Sequence, residues 1–301
     1  MSSGEQKELC GMIPVYKPAG WTSFDVIAKL RGILHMKRLG HAGTLDPMAT
    51  GVLPVFVGKA TKACDILPDS GKAYEAGFRL GLTTDTQDTT GRQLSVSDMP
   101  VSRSTVEKAL EGFHGEIMQL PPMYSAVKVE GKRLYELARQ GKEIEREPRQ
   151  ITVYETELLD YDDTAREGRL FISCSKGTYI RTVIHDLGAA IGCGGAMTSL
   201  CRVRAAGFEL SDCVTMEQLS EMPPEQAVRP LINAFEGMAK VRLDEHCTAM
   251  YKNGVKLGAH QVGLGRSFNR LFCVIGSGGE LLGIARMDSA EGEIRAVRNF
   301  Y

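Results

Sequence analysis

Asp46 is the side chain in this sequence whose surroundings most favour chemistry. Between Asp25 and Asp65 the chain carries six cations, Lys29, Arg31, Lys37, Arg38, Lys59 and Lys62, and the single acid Asp46. A negative ligand drawn to those cations meets one carboxylate, which suits chemistry on a polyanion. Pro47 biases Asp46 away from the α region, and Gly40, Gly43 and Gly51 permit tight turns or close backbone approach around it. The same Asp-Pro pair also fits a helix start, with Asp46 as N-cap and Pro47 at the first helical position. Local residues leave both readings open.

Composition bounds the setting of that carboxylate. The 301 residues, 43% hydrophobic and 24% charged, are ordinary for a folded protein and long enough for one large domain and a small one. The polar opening Met1 to Glu8 lacks the features of a secretory signal, and no stretch has 18 uninterrupted apolar residues, so a cytoplasmic protein without membrane contact is expected. Eight cysteines are scattered with no Cys-x-x-Cys pair, which favours reduced thiols. Neither His246 with Cys247 nor Cys193 with Cys201 has zinc spacing, and no P-loop is present. No metal and no cofactor are expected. The net charge of −1 hides polarity: the six cations around Asp46 contrast with six acids (Glu155, Glu157, Asp160, Asp162, Asp163, Glu167) against Arg166. Distinct basic and acidic faces follow, which permit a nucleic-acid partner.

The elements that must position Asp46 are partly legible. Val15 to Lys17 ends a strand, and Ser23 is expected to cap a helix that buries Val26, Ile27, Leu30 and Leu34. Leu53 to Val57 reads as a buried strand and Tyr74 to Leu80 as an alternating one. Thr83 to Gly91 is rich in turn formers and reads as a loop. Ser104 is expected to cap a helix through Leu110, and a short helix to run from Leu134 to Gln140. Residues 128–149 hold seven Lys/Arg and five Glu with few large apolar groups, so they read as a mobile, charged insertion with little core that orders on a partner. A strand from Arg169 to Ser175 leads into a helix with Ile180, Val183, Ile184 and Leu187 at helical spacing. Past about Gly237, short glycine-rich segments read as a separate β module.

The string from Gly40 to Pro54, GHAGTLDPMATGVLP, resembles the signature of the bacterial tRNA pseudouridine synthases of the TruB type, which isomerise the T-loop uridine conventionally numbered 55. Further blocks resemble that family in the same order: Lys17-Pro18 with Gly20 and Thr22-Ser23, Lys72 to Tyr74, Thr83 to Gly91, Pro121 to Lys128, Cys174 to Arg181, and Ser199 to Val203. Together they span residues 11–210, with Ala42, Cys201 and Val203 as departures inside them.

The resemblance implies an α+β fold: a mixed, largely antiparallel central sheet of the pseudouridine synthase type flanked by helices over residues 1–237, and a small β-rich PUA-like RNA-binding module over 238–301. It implies Asp46 as catalytic nucleophile, with attack at C1′, addition to C6 and elimination all open to it. Arg181 is expected at that carboxylate, and Tyr74 stacked on the flipped base, where its phenol can relay a proton from the ribose. Tyr179 and Leu200 are expected at the base and Asp88 as organiser of the site, with Lys17 and His41 also in the substrate-binding set. Flipping costs a few kcal/mol, and one aromatic stack returns roughly 1–3 kcal/mol. Arg133, Lys142 and the C-terminal module are expected to grip the T arm of tRNA, the implied partner, with a monomer acting without guide RNA or obligatory protein partner. The rival reading is a non-catalytic tRNA-binding or remodelling protein on the same fold. Asp46, Tyr74 and Arg181 together count against it, because a pure binder has no use for a carboxylate among phosphates. A glycosidase pairing Asp46 with Asp88 fits poorly with so many cations and few aromatics.

Overall fold

The apolar run after Asp46 forms the strand Thr50–Val57, buried on both faces in the computed structural model. The structure describes residues 9–68, 71–125, 127–129, 131–138, 140–265 and 268–301, without the side chains of Lys128 and Arg133. On one face Leu53, Val55 and Val57 pack with Ile13, Val15 and the helix residues Val26, Ile27 and Leu30. On the other, Val52 and Phe56 pack with Met12, Phe235 and the C-terminal Ile284 and Phe300. A strand covered twice needs apolar side chains at nearly every position, as the sequence shows here.

The main sheet runs in the order Gly11–Lys17, Thr50–Val57, Gly195–Ala205, Lys72–Leu80, Glu167–Cys174, Arg149–Asp162, Gly115–Gln119. Neighbours are antiparallel except the pair formed by Thr50–Val57 and Gly195–Ala205. The helix Ile180–Ile191 buries Val183, Ile184 and Leu187 against Phe78, Leu80, Leu170 and Ile172 of this sheet, and ends at Gly192 in the left-handed conformation (φ 89°).

Two helices are capped before the expected residue, one position earlier at Thr22 and two at Ser102. Thr22, not Ser23, caps the helix Ser23–Ile33, because Asp25 stands three residues on and completes a capping box: the Asp25 N–H donates to Thr22 Oγ1 at 3.1 Å and Asp25 Oδ2 accepts from the Thr22 N–H at 2.8 Å. Ser23 is freed to bind elsewhere, and its Oγ accepts the Leu45 N–H at 3.0 Å, tying this helix to the residue before Asp46. Likewise Ser102, not Ser104, caps the helix Arg103–Leu110.

The charged insertion is better anchored than its composition implies. Its helix, Leu134–Ala138, buries Leu134 and Leu137, and the Leu134 N–H donates to the Val127 carbonyl at 2.8 Å. Two well-placed leucines give it a core that counting charges missed. The C-terminal module has a four-stranded sheet in the order Ala239–Arg242, Phe272–Ile275, Leu281–Asp288, Glu293–Asn299. Its Cys273, Ile275, Ile284 and Phe300 belong to the same core as Met12, Val52 and Phe56, so it is docked on the main sheet rather than tethered to it. No helix among the described residues is long and apolar enough to cross a membrane.

Candidate active site

Asp46 begins a turn, not a helix: its carbonyl accepts the Ala49 N–H at 3.0 Å, and the chain enters the strand at Thr50. The Pro47 carbonyl accepts the Gly20 N–H at 2.8 Å and a bond from Lys17 Nζ at 3.3 Å. The turn is thus pinned to the Lys17-Pro18 corner, and the Asp46 side chain stays 41% exposed.

Arg181, 6% exposed, reaches Asp46 from the first turn of the helix Ile180–Ile191, with Nε 2.9 Å from Oδ2. Its other nitrogens are fixed on backbone: Nη1 donates to the Thr86 carbonyl at 2.8 Å and Nη2 to the Tyr124 carbonyl at 2.9 Å. A planar fork held on two sides offers its remaining edge to the carboxylate in one orientation. Asp88, itself buried, lies 3.7 Å from Nη1 through Oδ2, while its Oδ1 accepts Thr86 Oγ1 at 2.8 Å, Thr90 Oγ1 at 2.6 Å and the Thr90 N–H at 3.0 Å.

Tyr74 sits in the strand Lys72–Leu80, directly across from Arg202 of the neighbouring strand. It is nearly buried, and burial raises its pKa against the opposing pull of Arg202, so the phenol is neutral at ordinary pH. Leu200 is also buried and stands across from Ala76. Tyr179 precedes the Arg181 helix and is half-buried; Gln119 grips its backbone at both ends, accepting the N–H at 2.8 Å and donating to the carbonyl at 3.0 Å. A cavity of about 180 Å³ is lined by Gly43, Lys72, Lys176 and Ala205 among others, and by none of Asp46, Tyr74 and Arg181.

Lys17, expected among the substrate contacts, has no exposed surface. Its amine donates to the carbonyls of Pro18 (2.9 Å), Trp21 (2.5 Å) and Pro47 (3.3 Å), which leaves it none to offer an RNA; it holds the turn. Burial lowers its pKa to about 8. His41 is half-buried, its Nδ1 is enclosed without a hydrogen-bond partner, and burial followed by Arg202 lowers its pKa. Lys142 is exposed, and the Arg133 side chain lies outside the described residues.

The sequence reading missed Gln119, Thr86, Thr90 and Arg202. Arg202 had a signal: two residues beyond Leu200 in one strand, it shares that residue's face.

The chain is a pseudouridine synthase. Its residues 31–180 match the model of the TruB family pseudouridylate synthase (N terminal domain), and residues 181–239 that of the tRNA pseudouridylate synthase B C-terminal domain. The tRNA pseudouridine synthase B of Clostridium novyi (strain NT) is 40% identical over 279 residues, 93% of this chain and 96% of that protein. That of Heliobacterium modesticaldum is 44% identical over 253 residues, 83% of each chain. Among solved structures, a Cbf5-Nop10-Gar1 complex is similar at TM-score 0.76 and 28% identity, covering 97% of this chain and 85% of that one. An H/ACA RNP bound to a substrate RNA containing 2'-deoxyuridine is similar at TM-score 0.74 and 25% identity, with the same coverage. The chain belongs to the TruB family of pseudouridylate synthases.

Proposed function

We propose that this enzyme converts the T-loop uridine at position 55 of tRNA to pseudouridine, acting as a cytoplasmic monomer without guide RNA or protein partner. The observation that carries this is Asp46, an accessible carboxylate held at 2.9 Å by an arginine that is itself buried and locked on backbone carbonyls. Relatives named tRNA pseudouridine synthase B, 40% and 44% identical, support tRNA as the substrate.

In the reaction the C1′–N1 bond breaks, a C1′–C5 bond forms, N1 gains a proton and C5 loses one. A base stacked inside a folded loop hides those atoms, so the uridine is flipped out toward Asp46. Asp46 serves as nucleophile, and Arg181 keeps its carboxylate aimed so that none of the attack geometry has to be found during the reaction. Tyr74, held neutral by burial, relays a proton from the ribose. Tyr179 and Leu200 contact the flipped uracil, and Asp88 holds Arg181 from behind. Lys142, Arg133 and the C-terminal PUA-like module grip the T arm through its backbone shape.

The test is release of tritium from tRNA transcripts labelled at uracil C5, with the parent and Asp46→Asn. Release by the parent and none by the variant is the expected result. No release by either, with tight tRNA binding kept, would favour a remodelling protein over a T-loop enzyme.

A further inference from the structure

Arg202 is the largest wholly buried side chain among the described residues, and it makes no ion pair there. A buried guanidinium without a carboxylate is costly, so its neighbours must account for its presence. Nε donates to the Val52 carbonyl at 2.7 Å and Nη2 to the Gly43 carbonyl at 2.9 Å. Both acceptors lie in the segment that carries Asp46, three residues before it and six after. Nη1 is enclosed without a close partner. Tyr74 stands opposite in antiparallel register, and the guanidinium's charge favours ionisation of its phenol.

The neighbouring backbone makes room for this residue, for its main chain at Gly51 and its side chain at Gly43. Gly51 pairs with Arg202 in parallel at φ 100°, and a Cβ there would lie 2.2 Å from the Arg202 carbonyl oxygen. At Gly43, φ 72°, a Cβ would lie 3.2 Å from Nη1 and 3.0 Å from Lys72 Nζ. Two glycines flanking Asp46 therefore shape the socket of Arg202.

We propose that Arg202 is the positioning residue for the Tyr74 phenol, clamping it to the Asp46 turn so that carboxylate and phenol keep one spacing. This rests on the reading of Tyr74 as proton relay. The other groups facing the phenol are Asp46 and Cys174; those facing the guanidinium are Lys17, His41, Lys72 and Cys213. Burial, Cys174 and Asp46 raise the phenol's pKa, while Arg202 opposes them. Removing the guanidinium moves any rate limb governed by Tyr74 to higher pH.

The experiment is single-turnover conversion of tRNA across pH by the parent, Arg202→Lys, Arg202→Met, Tyr74→Phe and the double variant Arg202→Lys/Tyr74→Phe. Alongside it, NMR of Cζ-labelled tyrosine identifies the Tyr74 resonance by its loss in Tyr74→Phe. Arg202→Lys is expected to slow conversion by about 10-fold or more, within the range of acid–base contributions, with tRNA affinity unchanged. In the Tyr74→Phe background it should cost little, and the Tyr74 resonance should move in Arg202→Lys. Independent, multiplying effects with an unmoved resonance would reduce Arg202 to a structural residue and overturn the proposal. Should Arg202→Met not fold, the cycle with Arg202→Lys decides. Should Tyr74→Phe keep the parental rate, the proton-relay reading fails instead, and the resonance alone tests the clamp: a shift supports it and no shift overturns it.

Discussion

Asp88 backs Arg181 at 3.7 Å through a different nitrogen from the one that meets Asp46 at 2.9 Å. Two carboxylates thus share one guanidinium but live in unlike surroundings. Asp88 is buried and takes three further bonds from Thr86 and Thr90, whereas Asp46 keeps an open side toward solvent. Environment divides their roles: one fixes the arginine, the other is left accessible to a ligand.

Arg181→Met should therefore destabilise the fold far more than Asp46→Asn, although both are expected to abolish turnover. The first leaves Asp88 buried without its cation, a loss of about 3–5 kcal/mol. The second removes a part-exposed charge, worth within about 1 kcal/mol. Denaturant unfolding of the two variants measures the difference, and equal losses would contradict the division of roles.

Lys17→Met takes the amine donor from the part-buried carbonyls of Pro18 and Trp21 and one of two donors from that of Pro47, a loss of about 1–3 kcal/mol. Its pH dependence is specific. The folded amine titrates near 8 and the unfolded one at its ordinary 10.5. Between those values the unfolded chain holds a proton that the folded chain has shed, so stability due to this side chain rises with pH. The gap between parent and Lys17→Met should be level below about pH 8 and widen from there toward 10.5. A gap that stays level over that window would show the amine to be charged when folded.

Much of this arrangement is legible in the residues, and the exceptions have physical causes. Asp46 stands out because it is the lone acid among cations, and the double-sided burial of Thr50–Val57 is written in its unbroken apolar run. The cap at Thr22 was readable from Asp25 three places on, but two adjacent hydroxyls compete for the position and spacing to the acid decides. Arg202 was hidden because an arginine in a strand ordinarily marks the solvent side; its place two residues beyond Leu200 points to the inner face, and pairing with Tyr74 and Gly51, which is tertiary information, fixes it there. Lys17 failed as a substrate contact for a similar reason, since a charge type says nothing of the three carbonyls that enclose it. The charged insertion misled because a count of charges overlooks two leucines at helical spacing, Leu134 and Leu137, that are buried.

Gly51→Ala should be more damaging than Gly43→Ala. At 51 the added Cβ meets backbone, 2.2 Å from a carbonyl oxygen in a paired strand that cannot withdraw. At 43 it meets the ends of Lys72 and Arg202, which can shift by a few tenths of an ångström, so the cost is chiefly the left-handed backbone, about 1–2 kcal/mol. Thermal unfolding of the purified variants checks the order. The reverse order would mean that the strand pairing between Gly51 and Arg202 is looser than its register indicates.

Lys142→Glu and Arg133→Glu should weaken tRNA binding and flatten its dependence on salt. Every phosphate that is no longer neutralised takes about 0.7–0.9 off the slope of log affinity against log salt. Binding titrations at several salt concentrations measure this, and unchanged affinity for both variants would remove the charged insertion from the RNA-binding surface.

The C-terminal module should unfold together with the catalytic sheet. Phe300 lies near Phe235, ring centroids 6.3 Å apart, in the core that also holds Val52 and Phe56 from the main sheet. Lys62 Nζ donates to the Asn299 carbonyl at 2.9 Å, and Arg298 pairs with Asp65 at 2.9 Å, so polar bonds flank the same apolar seam. Separating the two parts would expose the second face of Thr50–Val57, the strand that Asp46 leads into. Phe300→Ala, at about 3–5 kcal/mol for a buried aromatic, should accordingly lower one shared calorimetric transition rather than release the module alone. Two resolved transitions, with the upper one unmoved by the substitution, would show that the module folds independently and that the catalytic strand does not depend on it.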